Sequence, residues 1–152
     1  MITCSKIYTD IPFAHRQHKH EGHCSKIHGH NWSFKFTFAV NQLDENGFVI
    51  DFGKLKWLKE YLNDKFDHKL VLNVEDPAYG FLTAQLVNYA DIVTVPNCGA
   101  EGLAQYLLET IDMMLYQLTG DRPGGRVFLL EVEVFEDSKN SAKATQDEYY
   151  NE

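Results

Sequence analysis

At 152 residues the chain can bury roughly 70% of its unfolded surface on folding, enough for one core. Lysine and arginine number 14 against 22 aspartates and glutamates, a net charge of −8 that excludes a broad positive face for nucleic acid while leaving room for a local pocket for a small phosphorylated ligand. Cys4, Cys24 and Cys98 are odd in number and form no CxxC pair, no stretch reaches the roughly 18 apolar residues of a membrane span, and "MITCSKIYTDIPF" has no secretory pattern, so the expectation is a soluble protein of the reducing cytoplasm.

An N-terminal strand is expected to end near His15. In "WSFKFTFAV", residues 32–40, Trp32, Phe34, Phe36, Phe38 and Val40 alternate with smaller or polar residues, the period of a half-buried strand. "DENGF", residues 44–48, signals a turn, and the apolar run 48–52 should rejoin the sheet or lead out of it. Over 53–66 the spacing of Leu55, Leu58, Leu62 and Phe66 predicts an amphipathic helix. Residues 74–99 are long for a connection and suggest irregular structure of their own. A second helix is predicted over 101–118, stopped by Gly120 and by Pro123, Gly124 and Gly125. "RVFLLEVEVFE", residues 126–136, predicts a strand with Phe128, Leu130, Val132, Val134 and finally Glu136 on one face, and a weak last strand is expected near 142–146. The order implies a single α+β domain over 1–152, its helices on one face of an antiparallel sheet, with a polar tail after about residue 147.

Six of the seven histidines fall between His15 and His30, a clustering that packing does not explain and that suits a metal. His28 and His30, two apart at the mouth of a strand, point the same way, and Gly29 between them offers no obstruction. An antiparallel neighbour could bring His15 opposite them, and three histidines leave a fourth tetrahedral position open to water or substrate. His18 and His20 are a rival pair without a following strand; surface histidines in a polar loop are the bland alternative. Cys24 could close the site as a fourth ligand, or act as base or nucleophile, since a nearby metal lowers a thiol pKa. Asp67–His68 could be a solvated helix terminus or a proton relay. Glu136 could be solvated or a buried anchor for a ligand's N–H donors.

Together "FAHR", "CSKIHGHNW", "NGFVIDFGKLK", "FDHKLVLN" and "VEVFE" stand in the order and spacing of the 6-pyruvoyl-tetrahydropterin synthase family, which the chain resembles over most of residues 5–136. It is more similar to the bacterial 6-carboxy-5,6,7,8-tetrahydropterin synthases of queuosine biosynthesis, because Cys24 stands four residues before the first histidine of "HGH". The resemblance implies the tunnelling fold, an antiparallel four-stranded sheet with two helices on one face, sheets joining into barrels in a homohexamer, a dimer of trimers. It further implies that His15, His28 and His30 hold zinc, that Cys24 is the proton-abstracting base, that Asp67 and His68 form its relay and that Glu136 anchors the pterin. The implied reaction is zinc-dependent conversion of 7,8-dihydroneopterin triphosphate to the 6-carboxy pterin with release of acetaldehyde and triphosphate; the alternatives are the pyruvoyl synthase reaction or a non-catalytic zinc- or pterin-binding homologue. The chain departs from the family in "NCGAEGLA", where Cys98-Gly99 replaces Pro-Thr and Gly102 replaces Asn, and in a longer 74–96 segment.

Overall fold

The computed structural model describes residues 1–119 and 126–147. The predicted helix stop at Gly120 and at residues 123–125, and the tail from 148 onward, lie outside the described residues.

The chain runs β1 (Ile2–His15), β2 (His28–Val40), α1 (Lys56–Phe66), β3 (Lys69–Asn73), α2 (Tyr79–Gln85), β4 (Asp91–Val95), α3 (Ala100–Thr119), β5 (Phe128–Phe135) and β6 (Ser141–Thr145). Among the described residues the strands form one sheet of six, in the order β4-β3-β1-β2-β5-β6. Four of them, β1, β2, β5 and β6, pair antiparallel as expected, but β3 runs parallel to the end of β1 at Ala14 and His15, and β4 runs parallel to β3. The four-stranded antiparallel sheet with two helices is thereby corrected to a six-stranded mixed sheet with three α-helices. The added elements carry no readable period: Leu70, Val71 and Leu72 are all buried, as in strands covered on both faces, and α2 buries no residue at all.

The core lies on one face of the sheet. Trp32, Phe34, Phe36 and Phe38 of β2 are fully buried against Leu58, Leu62 and Phe66 of α1 and Leu103, Leu107 and Ile111 of α3. Phe13 stacks on Trp32 with centroids 4.4 Å apart and meets Phe66 at 5.3 Å. Each such side chain contributes about 1.5–3 kcal/mol on burial, so this seam sets how the sheet and α1 sit together.

Two bulges adjust the faces. In β1 the pairing steps from Tyr8↔Phe34 to Ile11↔Trp32, so Thr9 and Asp10 together oppose Ser33 alone. Asp10 takes φ +61° and receives a hydrogen bond from Asn31 Nδ2 at 2.9 Å. Before the bulge even-numbered Tyr8 faces the core; after it, odd-numbered Ile11, Phe13 and His15 do. In β5 a register shift pairs Phe38 with Leu129 after Thr37 with Glu131, so Leu129 is buried and Leu130 only half-buried, contrary to the strict alternation expected. The apolar run 48–52 forms no strand: it ends in a 3-10 turn, Phe52–Lys54, capped by Asp51, whose Oδ1 accepts from Gly53 N–H. Among the described residues no helix is long and apolar enough to cross a membrane.

Candidate metal centre and substrate cleft

The core face of β1 and β2 continues past its last aromatic pair into imidazoles. His15 pairs with His28 and Phe13 with His30 across the two strands, so alternation carries His28 and His30 onto the face of Trp32 while the β1 bulge carries His15 there too. Trp32 forms the floor, its ring edge-on to His15 at 5.0 Å and His30 at 5.4 Å. Its Nε1–H donates to Phe13 O at 3.2 Å, which fixes the ring.

One ring nitrogen from each of His15, His28 and His30 lies within 4.8 Å of the others, the set able to hold one ion among the described residues. His15 Nδ1 sits 2.8 Å from Cys98 O and His28 Nδ1 2.7 Å from Lys26 O. A carbonyl only accepts, so both rings carry their proton on Nδ1 and present Nε2 as a lone pair. Those two Nε2 atoms stand 3.1 Å apart, an arrangement that two lone pairs tolerate only with a cation or proton between them. His30 Nε2 is buried without a hydrogen-bond partner. Burial is the largest influence on His15; the Cys98 carbonyl opposes it and His28 and His30 reinforce it, taking the pKa from 6.5 to about 4 and leaving the neutral, ligating form at neutral pH. The donor set therefore fits a borderline metal such as zinc with an open side.

Glu136, just past β5, closes part of that side: its Oε1 is 3.3 Å from His30 Nε2 and 3.6 Å from His15 Nε2. A cleft of about 610 Å³ opens beyond, lined by His15, His28, Glu136, Cys24, Gln17 and Lys139 among others. Cys24 lies in the 3-10 turn His23–Ser25, on the cleft wall and outside the converging histidine set. Its backbone is held from β1's side, since Gln17 N–H donates to Cys24 O at 2.9 Å and Arg16 Nη1 to Ser25 O at 3.1 Å. Arg16 in turn makes a two-pronged pair with the buried Asp76, at 2.7 and 2.8 Å, and its guanidinium holds the Asp76 carboxyl below its ordinary range.

The rival histidines stay outside the converging set, although His20 lines the same cleft. His18 Nδ1 accepts from Asn73 Nδ2 at 3.0 Å, and His20 Nδ1 accepts from Gly22 N–H at 2.9 Å. Asp67 and His68 form an oriented pair, Nδ1–H to Oδ1 at 2.8 Å, with His68 at φ +59° and four-fifths exposed. Within one chain His68 borders a shallow groove with Pro12, Gly29, His30 and Asn31, a different recess from the cleft that Cys24 lines. Cys98 is fully buried, its thiol pushed up to about 11 chiefly by burial, and is a packed, unreactive group. Trp32, Arg16, Asp76 and Asn73 are supports that residue type and spacing do not reveal; only Trp32, two places beyond His30 on the same strand face, carries a local signal.

A family model described as 6-pyruvoyl tetrahydropterin synthase matches residues 4–147. Several curated proteins named 6-carboxy-5,6,7,8-tetrahydropterin synthase are similar. That of Rickettsia bellii is 30% identical over 141 residues, covering 90% of this chain and 94% of its own. That of Rickettsia conorii is 31% identical over 117 residues, 76% of this chain and 84% of its own, and that of Rickettsia typhi 38% identical over 90 residues, 59% of this chain and 62% of its own. Among solved structures, an uncharacterized protein from Wolinella succinogenes shares the fold with a TM-score of 0.80 at 19% identity, over 96% of this chain and 98% of that one. The 6-pyruvoyl tetrahydropterin synthase of Caenorhabditis elegans does so with a TM-score of 0.63 at 20% identity, over 96% of each chain.

Proposed function

Because the chain belongs to the 6-pyruvoyl tetrahydropterin synthase family, we propose that it is a zinc-dependent 6-carboxy-5,6,7,8-tetrahydropterin synthase of the cytoplasm, a lyase acting as one domain over residues 1–152. It takes 7,8-dihydroneopterin triphosphate and water to the 6-carboxy pterin, acetaldehyde and triphosphate, a step of queuosine formation. The observation that carries the reading is the convergence of one ring nitrogen from each of His15, His28 and His30 beside a cleft that Cys24 and Glu136 line.

His15, His28 and His30 would hold the zinc. When bound, that ion supplies Lewis acidity, polarising a side-chain oxygen of the substrate and easing loss of the proton beside it. Glu136 accepts the pterin's ring N–H and amino group, laying the ring beside the histidines whose nitrogens its carboxylate already approaches. Cys24 Sγ takes the side-chain proton. His68, whose Nδ1–H is committed to Asp67 and whose Nε2 is therefore free to accept, passes that proton on. Since His68 and Cys24 border different recesses of one chain, the relay is assigned to a neighbouring copy. The outer edge of β1, paired to β3 only at Ala14 and His15, and the outer edge of β6 are the strand edges through which copies would join into barrels, with a hexamer as the assembly.

The test is to load the purified chain with zinc, supply dihydroneopterin triphosphate and analyse the products by mass. The carboxy pterin with acetaldehyde is expected. A pyruvoyl product, which keeps every side-chain carbon, would reassign the chemistry, and no turnover would overturn the enzyme reading. That last outcome is the one Cys98-Gly99 in place of Pro-Thr would favour, leaving a protein that binds zinc or a pterin without reaction.

A further inference from the structure

We propose that Asn73 is a positioning residue for the metal centre: by pinning residue 98, it fixes the carbonyl that holds His15 in its ligating tautomer and so sets metal affinity. The inference rests on the metal reading above and deepens it.

Residue 98 is tied at three points. Its N–H donates to Asn73 Oδ1 at 2.7 Å, its thiol donates to Arg16 O at 3.1 Å, and its carbonyl accepts from His15 Nδ1 at 2.8 Å. Asn73 ends β3, where it pairs with Val95 in the last register pair between β3 and β4. It is nearly buried, and its Nδ2 reaches back to His18 Nδ1 at 3.0 Å and Gln17 Oε1 at 3.4 Å. The amide thus bridges the loop that follows His15 to the loop that precedes α3. A ring flip or tautomer change at His15 would leave the Cys98 carbonyl unsatisfied in a buried site, which keeps Nε2 aimed at His28.

The same contacts account for the chain's departure from its family. A Cβ at position 99 would stand 2.3 Å from Gln17 Nε2, and one at position 102 would stand 2.3 Å from the Cβ and Cγ of Asn97. Glycine at 102 admits the tight 97–99 turn, in which Asn97 Oδ1 accepts Gly99 N–H at 3.0 Å, whereas at 99 only the flexible Gln17 amide end would have to move. Asn97 occupies the room that Gly102 frees, and the turn brings the Cys98 carbonyl down onto His15.

The test combines zinc affinity, measured by chelator competition, with nitrogen NMR of the His15 ring in metal-free protein. Asn73→Ala is expected to weaken zinc binding by about 10–100-fold and to lose the Nδ1–H pattern of His15, whereas Asn73→Asp, which keeps the acceptor for Cys98 N–H, stays within about threefold of wild type. A wild type that takes up no zinc overturns the metal reading and this proposal with it. A zinc-binding wild type whose affinity and His15 pattern are unchanged in folded Asn73→Ala overturns the proposal alone. So does a wild-type His15 protonated on Nε2 in the metal-free state, a result that needs no variant.

Discussion

Glu136 puts one carboxylate oxygen against two ring nitrogens, and a single substitution separates the two roles open to an acid there. If it anchors the pterin, Glu136→Gln keeps the shape and the zinc but loses a charge-assisted bond worth about 1.5–3 kcal/mol, raising KM roughly 10–100-fold. A fall in zinc content instead would make it a ligand. His15 sets a pH dependence. The unfolded imidazole takes its proton near 6.5, while the folded one withholds it until about 4, so between these values the unfolded state binds more protons. The stabilisation is complete above 6.5 and is lost as pH falls toward 4. In chelator, the melting temperature of the wild type should drop between about pH 7 and about pH 5 more than that of His15→Leu, which has no proton to gain there. At this scale the converging histidines were legible, because two histidines flanking a glycine at a strand mouth must point together. Their supports were not, because Asn73 meets Cys98 across 25 positions of chain.

The β1 bulge decides whether the site exists. Deleting Asp10 would restore strict alternation, turn His15 to the opposite face, and is expected to abolish stoichiometric zinc uptake while Phe34, Phe36 and Phe38 still pack; metal analysis of the folded variant checks this. Its left-handed backbone also makes Asp10→Val costly by about 1–2 kcal/mol, to be read from the urea midpoint. Nothing in "YTDIPF" announces the extra residue, since the apolar positions of β1 are too few to reveal a change of parity. The β2 alternation and the stripes of α1 and α3 were readable because each buries one face only. For β3 that condition fails, β4 buries only Val95, and five-residue strands offer no second clue.

Seen as a whole molecule, the chain divides its proposed chemistry between two recesses, Cys24 on the cleft and His68 on the shallow groove beside His30. If copies complete one another, Cys24→Ala and His68→Ala chains are each inactive alone but regain activity when unfolded and refolded together, in about a quarter of sites by random pairing across the shared interface. Activity that stays absent in the mixed assemblies would place both groups in one chain's site or remove one from the mechanism. The core seam has a consequence of another kind. Only two tryptophans occur in the sequence, Trp32 and Trp57, and Trp32 alone lies edge-on to two of the histidines, within 5.4 Å. Its ultraviolet emission is therefore a built-in optical gauge of the centre. A paramagnetic ion such as Co2+ or Cu2+ taken up there should quench that emission in step with occupancy, and Trp32→Phe should leave the remaining light from Trp57 nearly indifferent to it.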